Sequence, residues 1–321
     1  MYGILRWIAG VALHWFYGDI RVVGAEKIPR NAPLLIAVNH FNALVDSLLI
    51  GWLMPRRVVM TAKATLTNNP MIAVLFRALG VVPLRRTVDE KIESNGRNPS
   101  PARNSGAFRE MLDVLKRNGA VLIFPEGTSH SNQGMVPLKS GLARVALQAR
   151  ERKIVDVQIV PIGLVFENKS IPDSGVRVQV GDPIAVDRWP AVDDHIGLTV
   201  ELSRRLRLVT ETELPSPKSI SRRVRPGRTK RIAISVAAAW GRLTHKLPIR
   251  IARKIAVRLS TDADQPAMFT IVIGLGLVLT SYMVHFALVD LITHSFWIAS
   301  LYVATLLTGA YWAAFEPHLE Q

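Results

Sequence analysis

The chain contains no cysteine, and this absence removes several kinds of chemistry. Without thiols there is no disulfide framework, no thiolate zinc site and no cysteine nucleophile. The sequence also lacks a Gly-x-Ser-x-Gly elbow, the turn that presents a nucleophilic serine in one large class of hydrolases. Gly274 and Gly276 do not form a dinucleotide loop, because they lie in an apolar run without a third glycine. These absences favour chemistry without a covalent enzyme intermediate.

Acidic residues are missing from one long basic stretch. Residues 218–258 hold thirteen Lys and Arg and no Asp or Glu, while the rest of the chain has 27 basic and 25 acidic residues. The net charge of +15 is therefore local. Such a stretch beside apolar helices is expected at an anionic membrane surface, where each cation contributes about 1 kcal/mol. A solvated linker with incidental charge is the alternative.

Two long apolar runs follow the basic stretch. Residues 268–289 contain His285 as their only ionisable group, and residues 295–315 contain none. As helices, each would be about 30 Å long, the thickness of a hydrocarbon core. We predict a transmembrane hairpin whose outer ends lie on the cytoplasmic side because of the preceding basic stretch. Two buried core helices are the alternative, and His285 is expected at the interface or in a proton relay.

At the N-terminus, apolar residues recur at helical spacing: Ile4, Trp7, Ile8, Val11 and Trp15. Residues 1–17 are therefore predicted to form an amphipathic helix that is too short to span a bilayer and lies in its interface. A cleaved signal peptide is not expected, because His14 interrupts the apolar run.

Between these ends, short apolar runs alternate with helical patterns. The runs predict buried strands at 34–38, 121–124 and 159–166, and helices are predicted at 47–53, 71–79, 107–116 and 142–150. The polar stretch 87–104 is predicted to be a mobile loop. The fold class is thus α/β, with a central mixed sheet flanked by helices. The predicted divisions are an amphipathic helix (1–18), the α/β domain (19–213), a basic juxtamembrane segment (214–262) and the hairpin (263–321).

Residues whose side chains could take part in catalysis or ligand binding follow the predicted strands. His40 and Asp46 come directly after the strand at 34–38, where α/β sheets place their ligands. A histidine there can accept a hydroxyl proton, and a carboxylate on its other ring nitrogen would hold the tautomer. Alone, this pair is also compatible with a structural histidine. A second strand leads into the turn 124–130, which offers amides and hydroxyls to an anion, and the short strand in 80–86 delivers two arginines.

Four motifs in this order resemble the glycerolipid acyltransferases, the family of lysophosphatidic acid and glycerol 3-phosphate acyltransferases. The motifs are His40 to Asp46, Gly80 to Arg86, Phe124 to Thr128, and Val160 to Gly163. The resemblance implies that His40 is the general base and that Asp46 orients it. It implies further substrate-binding residues, which are Arg86, Glu126, Gly127 and Thr128 for the acceptor phosphate, Pro161 for the substrate channel, and the basic residues Lys63 and Lys139.

The chain departs from the family pattern at two places. Five residues, rather than four, separate His40 from Asp46. Ser129 and His130 follow the Glu-Gly-Thr sequence, where an arginine is commoner. Candidates to replace that cation are Arg86, Lys139 and Arg144. The Ser-His variant resembles the fungal type of glycerol 3-phosphate acyltransferase, so both acceptors stay open.

The resemblance implies a membrane-bound O-acyltransferase in phospholipid biosynthesis, on the cytoplasmic face of a bacterial inner membrane or its equivalent. The expected donor is acyl-CoA or acyl carrier protein, with no other cofactor and no metal. The expected acceptor is 1-acylglycerol 3-phosphate, with glycerol 3-phosphate as the alternative. A membrane-tethered basic binding or scaffold protein is the alternative of another class. Nucleic acid is not an expected partner, because Trp240 is the only aromatic residue in the basic stretch.

Overall fold

A mixed sheet forms the centre of the molecule. The computed structural model describes residues 2–68, 73, 80–84, 104–130, 134–190, 193–211, 228–260 and 265–315. Within these residues the sheet has eight strands in the order β1-β7-β6-β2-β5-β3-β4, and β8 pairs with β6. All pairs are parallel except those of β6 with β7 and β8. The strands are β1 (Asp19–Val23), β2 (Leu34–Val38), β3 (Val58–Lys63), β4 (Val82–Leu84), β5 (Ala120–Ile123), β6 (Gln158–Phe166), β7 (Gly175–Val180) and β8 (Ile184–Ala185).

Helices cover both faces of the sheet. In the described parts of the chain they are α1 (Tyr2–Phe16), α2 (Ala43–Leu53), α3 (Ser105–Lys116), α4 (Gly141–Glu151), α5 (His195–Glu211), α6 (Arg228–Leu259), α7 (Pro266–Thr293) and α8 (Phe296–Phe315). Leu34, Ile36 and Val38 of β2 pack in the core with α1 and α2. Leu35 and Ala37 pack in the opposite core with α3, α4 and α5. Because β2 is buried on both faces, its sequence is a continuous apolar run.

The predicted fold class is confirmed. The strand predicted at 34–38 has these bounds in the structure. The strand predicted at 121–124 is shifted by one residue at both ends from β5, and the one predicted at 159–166 lacks only the first residue of β6. The helical patterns at 47–53, 107–116 and 142–150 lie within α2, α3 and α4. The predictions for 71–79 and 87–104 lie outside the described residues, apart from single positions. Strands β1, β3, β7 and β8 and helices α5 and α6 were not predicted.

Helix α1 lies between the domain and the C-terminal helices. Leu13 and Phe16 are buried in the core beneath the sheet. The opposite side of α1 meets α8, because Trp7 stacks on Tyr311 and the Trp15 indole donates a hydrogen bond of 3.0 Å to the Ala310 carbonyl. The apolar stripe predicted for this helix is therefore partly in contact with protein.

The basic stretch is largely helical, because α6 covers most of it and packs along both α7 and α8. Its buried face carries mostly small side chains: Ile234, Ala238, Gly241, His245, Ala252 and Ala256. A Cβ added at Gly241 would lie 2.0 Å from the Gly309 carbonyl oxygen of α8. Only glycine permits this approach of the two backbones.

Helices α7 and α8 form an apolar pair joined by His294 and Ser295, a shorter connection than the five residues, 290–294, between the two predicted runs. Both are long and apolar enough to cross a membrane, by length and composition. Only 22% and 28% of their most apolar windows are buried, so most of this surface faces outward. That exposure does not fit the alternative of two buried core helices. His285 pairs with the next helix, where its Nδ1 atom lies 2.9 Å from the Tyr302 hydroxyl.

Candidate active site

The structure brings His40 and Asp46 together at the end of β2. The Nδ1 atom of His40 lies 2.9 Å from Oδ2 of Asp46, whose side chain is fully buried. The backbone N–H of Asn42 donates a second hydrogen bond of 2.8 Å to the same oxygen. Because α2 begins directly after Asn42, Asp46 falls in its first turn and points back to the ring. The five intervening residues therefore do not prevent the pairing.

The His40 ring is fixed with one nitrogen left for chemistry. Its face stacks on the Phe124 ring, with centroids 3.9 Å apart and planes 15° apart. A carboxylate at Nδ1 favours the tautomer with the proton on that atom, so that Nε2 carries a lone pair. Among the described residues, no hydrogen-bond partner occupies Nε2. The ring is thus arranged as a proton acceptor.

Glu126 connects the histidine segment to the turn that follows β5. Its Oε1 atom accepts a hydrogen bond of 2.9 Å from the backbone N–H of His40. Its Oε2 atom accepts one of 3.2 Å from the backbone of Val136 and is also bound by Nε2 of His130. A further backbone hydrogen bond of 3.2 Å runs from the His130 amide to the His40 carbonyl. The Glu126 carboxylate is buried, so its direct effect is to hold the two segments together.

The turn that follows β5 places the Lys139 ammonium beside Gly127. Gly127 has a φ of +75° and its N–H donates to the Phe124 carbonyl at 3.0 Å. The positive φ favours glycine, and a Cβ at this position would lie 2.8 Å from Nζ at the flexible end of Lys139. Lys139 is anchored by its backbone N–H, which donates to Pro125 at 2.8 Å. Its ammonium therefore stands at the turn where the family's arginine is missing, beside the exposed Thr128.

Tyr17, Asn42 and Lys169 complete a network that the sequence did not reveal. The Asn42 amide donates to the Tyr17 hydroxyl at 2.6 Å, and that hydroxyl donates to the Lys169 carbonyl at 3.0 Å. The Lys169 ammonium donates to the carbonyls of Phe41 at 2.7 Å and His130 at 3.2 Å. Burial, assisted by the negative charge of Asp46, raises the pKa of Tyr17 far above its usual range. Tyr17 is therefore a neutral partner. Asn42 lies within the first motif, but Tyr17 and Lys169 carry no sequence signal.

Among the remaining predicted residues, those that the structure describes lie outside this cluster. Lys63 ends β3 and pairs in register with Leu84 of β4. Arg86 lies outside the described residues. Pro161 is buried in β6 opposite Ala37, and its ring lies close to Gly181. Arg144 contacts His195 of α5 at 3.3 Å. The substrate-binding roles of these residues stay predictions.

Comparison with known proteins assigns the domain that carries this site. Residues 19–165 match the family model described as Acyltransferase. A 1-acyl-sn-glycerol-3-phosphate acyltransferase of Cocos nucifera is 30% identical over 203 residues, which cover 62% of this chain and 60% of that protein. Glycerol-3-phosphate O-acyltransferase 1 of Saccharomyces cerevisiae is 24% identical, over 59% of this chain and 35% of that protein. The chain thus spans about three fifths of the first of these relatives.

A solved structure has the same fold. The crystal structure of PlsC from Thermotoga maritima, a 1-acyl-sn-glycerophosphate acyltransferase, superposes with a TM-score of 0.50 at 20% identity. The match covers 67% of this chain and 81% of that chain. The resemblance carried by the four motifs is therefore confirmed: residues 19–165 match an Acyltransferase domain, and the curated relatives above are named as acyltransferases of glycerol phosphates.

Proposed function

We propose that this protein transfers a fatty acyl group from a thioester to a hydroxyl of a glycerol phosphate, with 1-acylglycerol 3-phosphate as the acceptor. The observation that carries the proposal is the His40–Asp46 pair held by Glu126 against the turn at Gly127. A base and an anion-binding turn are what transfer to a phosphorylated alcohol requires. The matched family domain and the names of its relatives support the same reaction.

The reaction proceeds directly between the two substrates. Nε2 of His40 removes the acceptor's hydroxyl proton as the oxygen attacks the thioester carbonyl. Asp46 stabilises the imidazolium that forms. The new C–O bond forms, the C–S bond breaks, and the imidazolium returns its proton to the departing thiolate. The Lys139 ammonium attracts the acceptor phosphate. General base catalysis contributes about 10² to 10⁴ in rate.

The membrane elements suit a lipid product. Helices α7 and α8 cross the bilayer, and α1 holds the catalytic domain at its surface. The basic side chains of α6 favour the anionic cytoplasmic leaflet. The acceptor and product then stay within reach of His40 without leaving the membrane. The donor is acyl-CoA or acyl carrier protein.

A direct assay tests this function. Purified full-length protein receives labelled acyl-CoA or acyl carrier protein, with 1-acylglycerol 3-phosphate or glycerol 3-phosphate as acceptor. The proposal predicts labelled phosphatidic acid from the first acceptor, at the higher rate. No acyl transfer to either acceptor, from either donor, would overturn it.

Glycerol 3-phosphate acylation is the second candidate. It is favoured by Ser129 and His130 after the Glu-Gly-Thr sequence, and by the similarity to the yeast enzyme. A higher rate with glycerol 3-phosphate in the same assay would select it. Salt-sensitive nucleic-acid binding without acyl transfer would instead favour the scaffold interpretation.

A further inference from the structure

A basic cavity lies away from His40, between the C-terminal end of α1, the loop before β7 and the C-terminal half of α6. Its volume is about 650 Å³. The charged and titratable side chains that line it are His14, Asp173, Arg242, Lys246, Arg250 and Arg253. Four permanent cations thus face one carboxylate, so the cavity attracts anions.

An apolar cavity adjoins the basic one. It has a volume of about 230 Å³ and lies between α1, α6, α7 and α8. Three residues, Trp15, Ile249 and Arg253, line both cavities. Most of the remaining lining is aliphatic or aromatic, with Val11 of α1 and Val278 of α7 as examples. A charged compartment that opens onto an apolar one matches an amphiphile with an anionic head.

Arg253 lies where the two cavities meet, and one hydrogen-bond donor of its guanidinium is unsatisfied by the described residues. Its Nε atom is buried and has no hydrogen-bond partner among the described residues. A buried polar group without a partner is costly, by about 1–3 kcal/mol. A phosphate oxygen is a suitable acceptor, because the planar guanidinium matches phosphate geometry. The position of this atom indicates where the head group of a ligand ends and its chain begins.

We propose that the two cavities together bind one anionic phospholipid of the surrounding bilayer. Its phosphate lies among the cations of α6, and one acyl chain lies between α1 and α7. The catalytic cluster described above uses none of the six charged or titratable side chains that line the basic cavity. The basic cavity is therefore a second lipid site. The proposal rests on the membrane association proposed above, but not on acyl transfer.

Native mass spectrometry of the detergent-purified full chain tests this site. Phosphatidylglycerol is compared with phosphatidylcholine of the same chains and with its own deacylated head group, glycerophosphoglycerol. We expect one phosphatidylglycerol to bind at least about tenfold more tightly than either comparison ligand, because each cation near the phosphate contributes about 1 kcal/mol. Equal affinity for phosphatidylcholine, or equal affinity for the free head group, would overturn the proposal.

Two pairs of variants locate the lipid. Lys246→Gln with Arg250→Gln removes two cations that line the basic cavity, and Lys254→Gln with Arg258→Gln removes two exposed cations of the same helix outside it. We expect about a tenfold loss of affinity in the first pair only. Val278→Trp fills the apolar cavity, whereas Val284→Trp adds the same bulk on an exposed face of α7.

The expected result is weaker phosphatidylglycerol binding for Val278→Trp and unchanged binding for Val284→Trp. Equal losses within each pair would contradict the assigned location. The wild-type comparison of lipids remains decisive if a variant does not fold. Acyl transfer measured on the same samples reports separately on the reaction at His40. Failure of the lipid-binding proposal can therefore be told apart from failure of the proposed function.

Discussion

Glu126 accepts a hydrogen bond of 2.9 Å from the backbone amide of His40, although 86 positions separate them in the chain. The carboxylate thereby fixes the backbone of the proposed base rather than its ring. Asp46 fixes the ring, at Nδ1. Two carboxylates with separate tasks thus hold one histidine, and this arrangement leads to distinct predictions for each.

Replacing Glu126 by alanine should destabilise the domain. The change leaves the buried amides of His40 and Val136 without their acceptor. We expect the free energy of unfolding to fall by about 2–4 kcal/mol, measured by denaturant titration in detergent. Glu110→Ala, at an exposed position of α3, is the control and should change it by less than about 1 kcal/mol. An equally stable Glu126→Ala protein would show that the carboxylate does not join the two segments.

Asp46→Asn should slow catalysis while leaving the fold intact. The amide oxygen can still accept from the Asn42 backbone, but the negative charge that stabilises the imidazolium is gone. We expect the turnover number to fall by about a hundredfold, with little change in the Michaelis constant of the acceptor. Asp113→Asn, at an exposed position of α3, should change neither the turnover number nor the Michaelis constant. If Asp46→Asn raised only the Michaelis constant of the acceptor, Asp46 would act in acceptor binding and not in stabilising the imidazolium.

Lys139→Met should weaken binding of the acceptor phosphate. Its ammonium is close to Gly127, in the turn that is proposed to bind the acceptor phosphate. Loss of one charge-assisted contact should raise the Michaelis constant for the acceptor by about tenfold or more, with a smaller change in turnover number. Lys116→Met, at the exposed end of α3, is the matched control. An unchanged Michaelis constant would exclude Lys139 from the phosphate site.

Tyr17→Phe should lower stability in a pH-dependent manner. The change removes the hydroxyl that joins Asn42 to the Lys169 carbonyl, at a cost of about 1–2 kcal/mol at neutral pH. Because burial raises the pKa of Tyr17, the folded protein keeps it neutral when the unfolded chain ionises it above about pH 10. The wild type should therefore lose stability faster than Tyr17→Phe above that pH. A constant difference in unfolding free energy from pH 8 to 11 would contradict the assignment.

The local sequence pattern was sufficient to predict the elements that are buried along their whole length. Leu34–Val38 is apolar at every position because both of its faces are covered, and its bounds were predicted correctly. Strand β7 alternates buried and half-buried positions over most of its length, and its arginine and glutamine obscured the apolar pattern. The buried stripe of small residues on α6 was hidden in the same way, because basic residues recur between its members.

The candidate site was predictable where the residues of a contact lie on one segment. His40 and Asp46 share the segment after β2, and strand-end position was a sufficient guide. The bridging contacts of Glu126 and Tyr17 depend on which strands become neighbours, and no local pattern carries that information. Lys139 was one of three candidates to replace the missing arginine, and only the folded turn shows its ammonium close to Gly127.

The most direct test of this account is the initial rate of acyl transfer to 1-acylglycerol 3-phosphate by His40→Asn. The asparagine amide can still donate to Asp46, and the backbone amide of residue 40 can still reach Glu126, so the fold should persist. What is lost is the proton acceptor at Nε2. We predict a rate lower by about 10² to 10⁴ with an unchanged unfolding temperature, and an unaffected rate for His195→Asn. A folded His40→Asn protein with the wild-type rate would contradict the central claim.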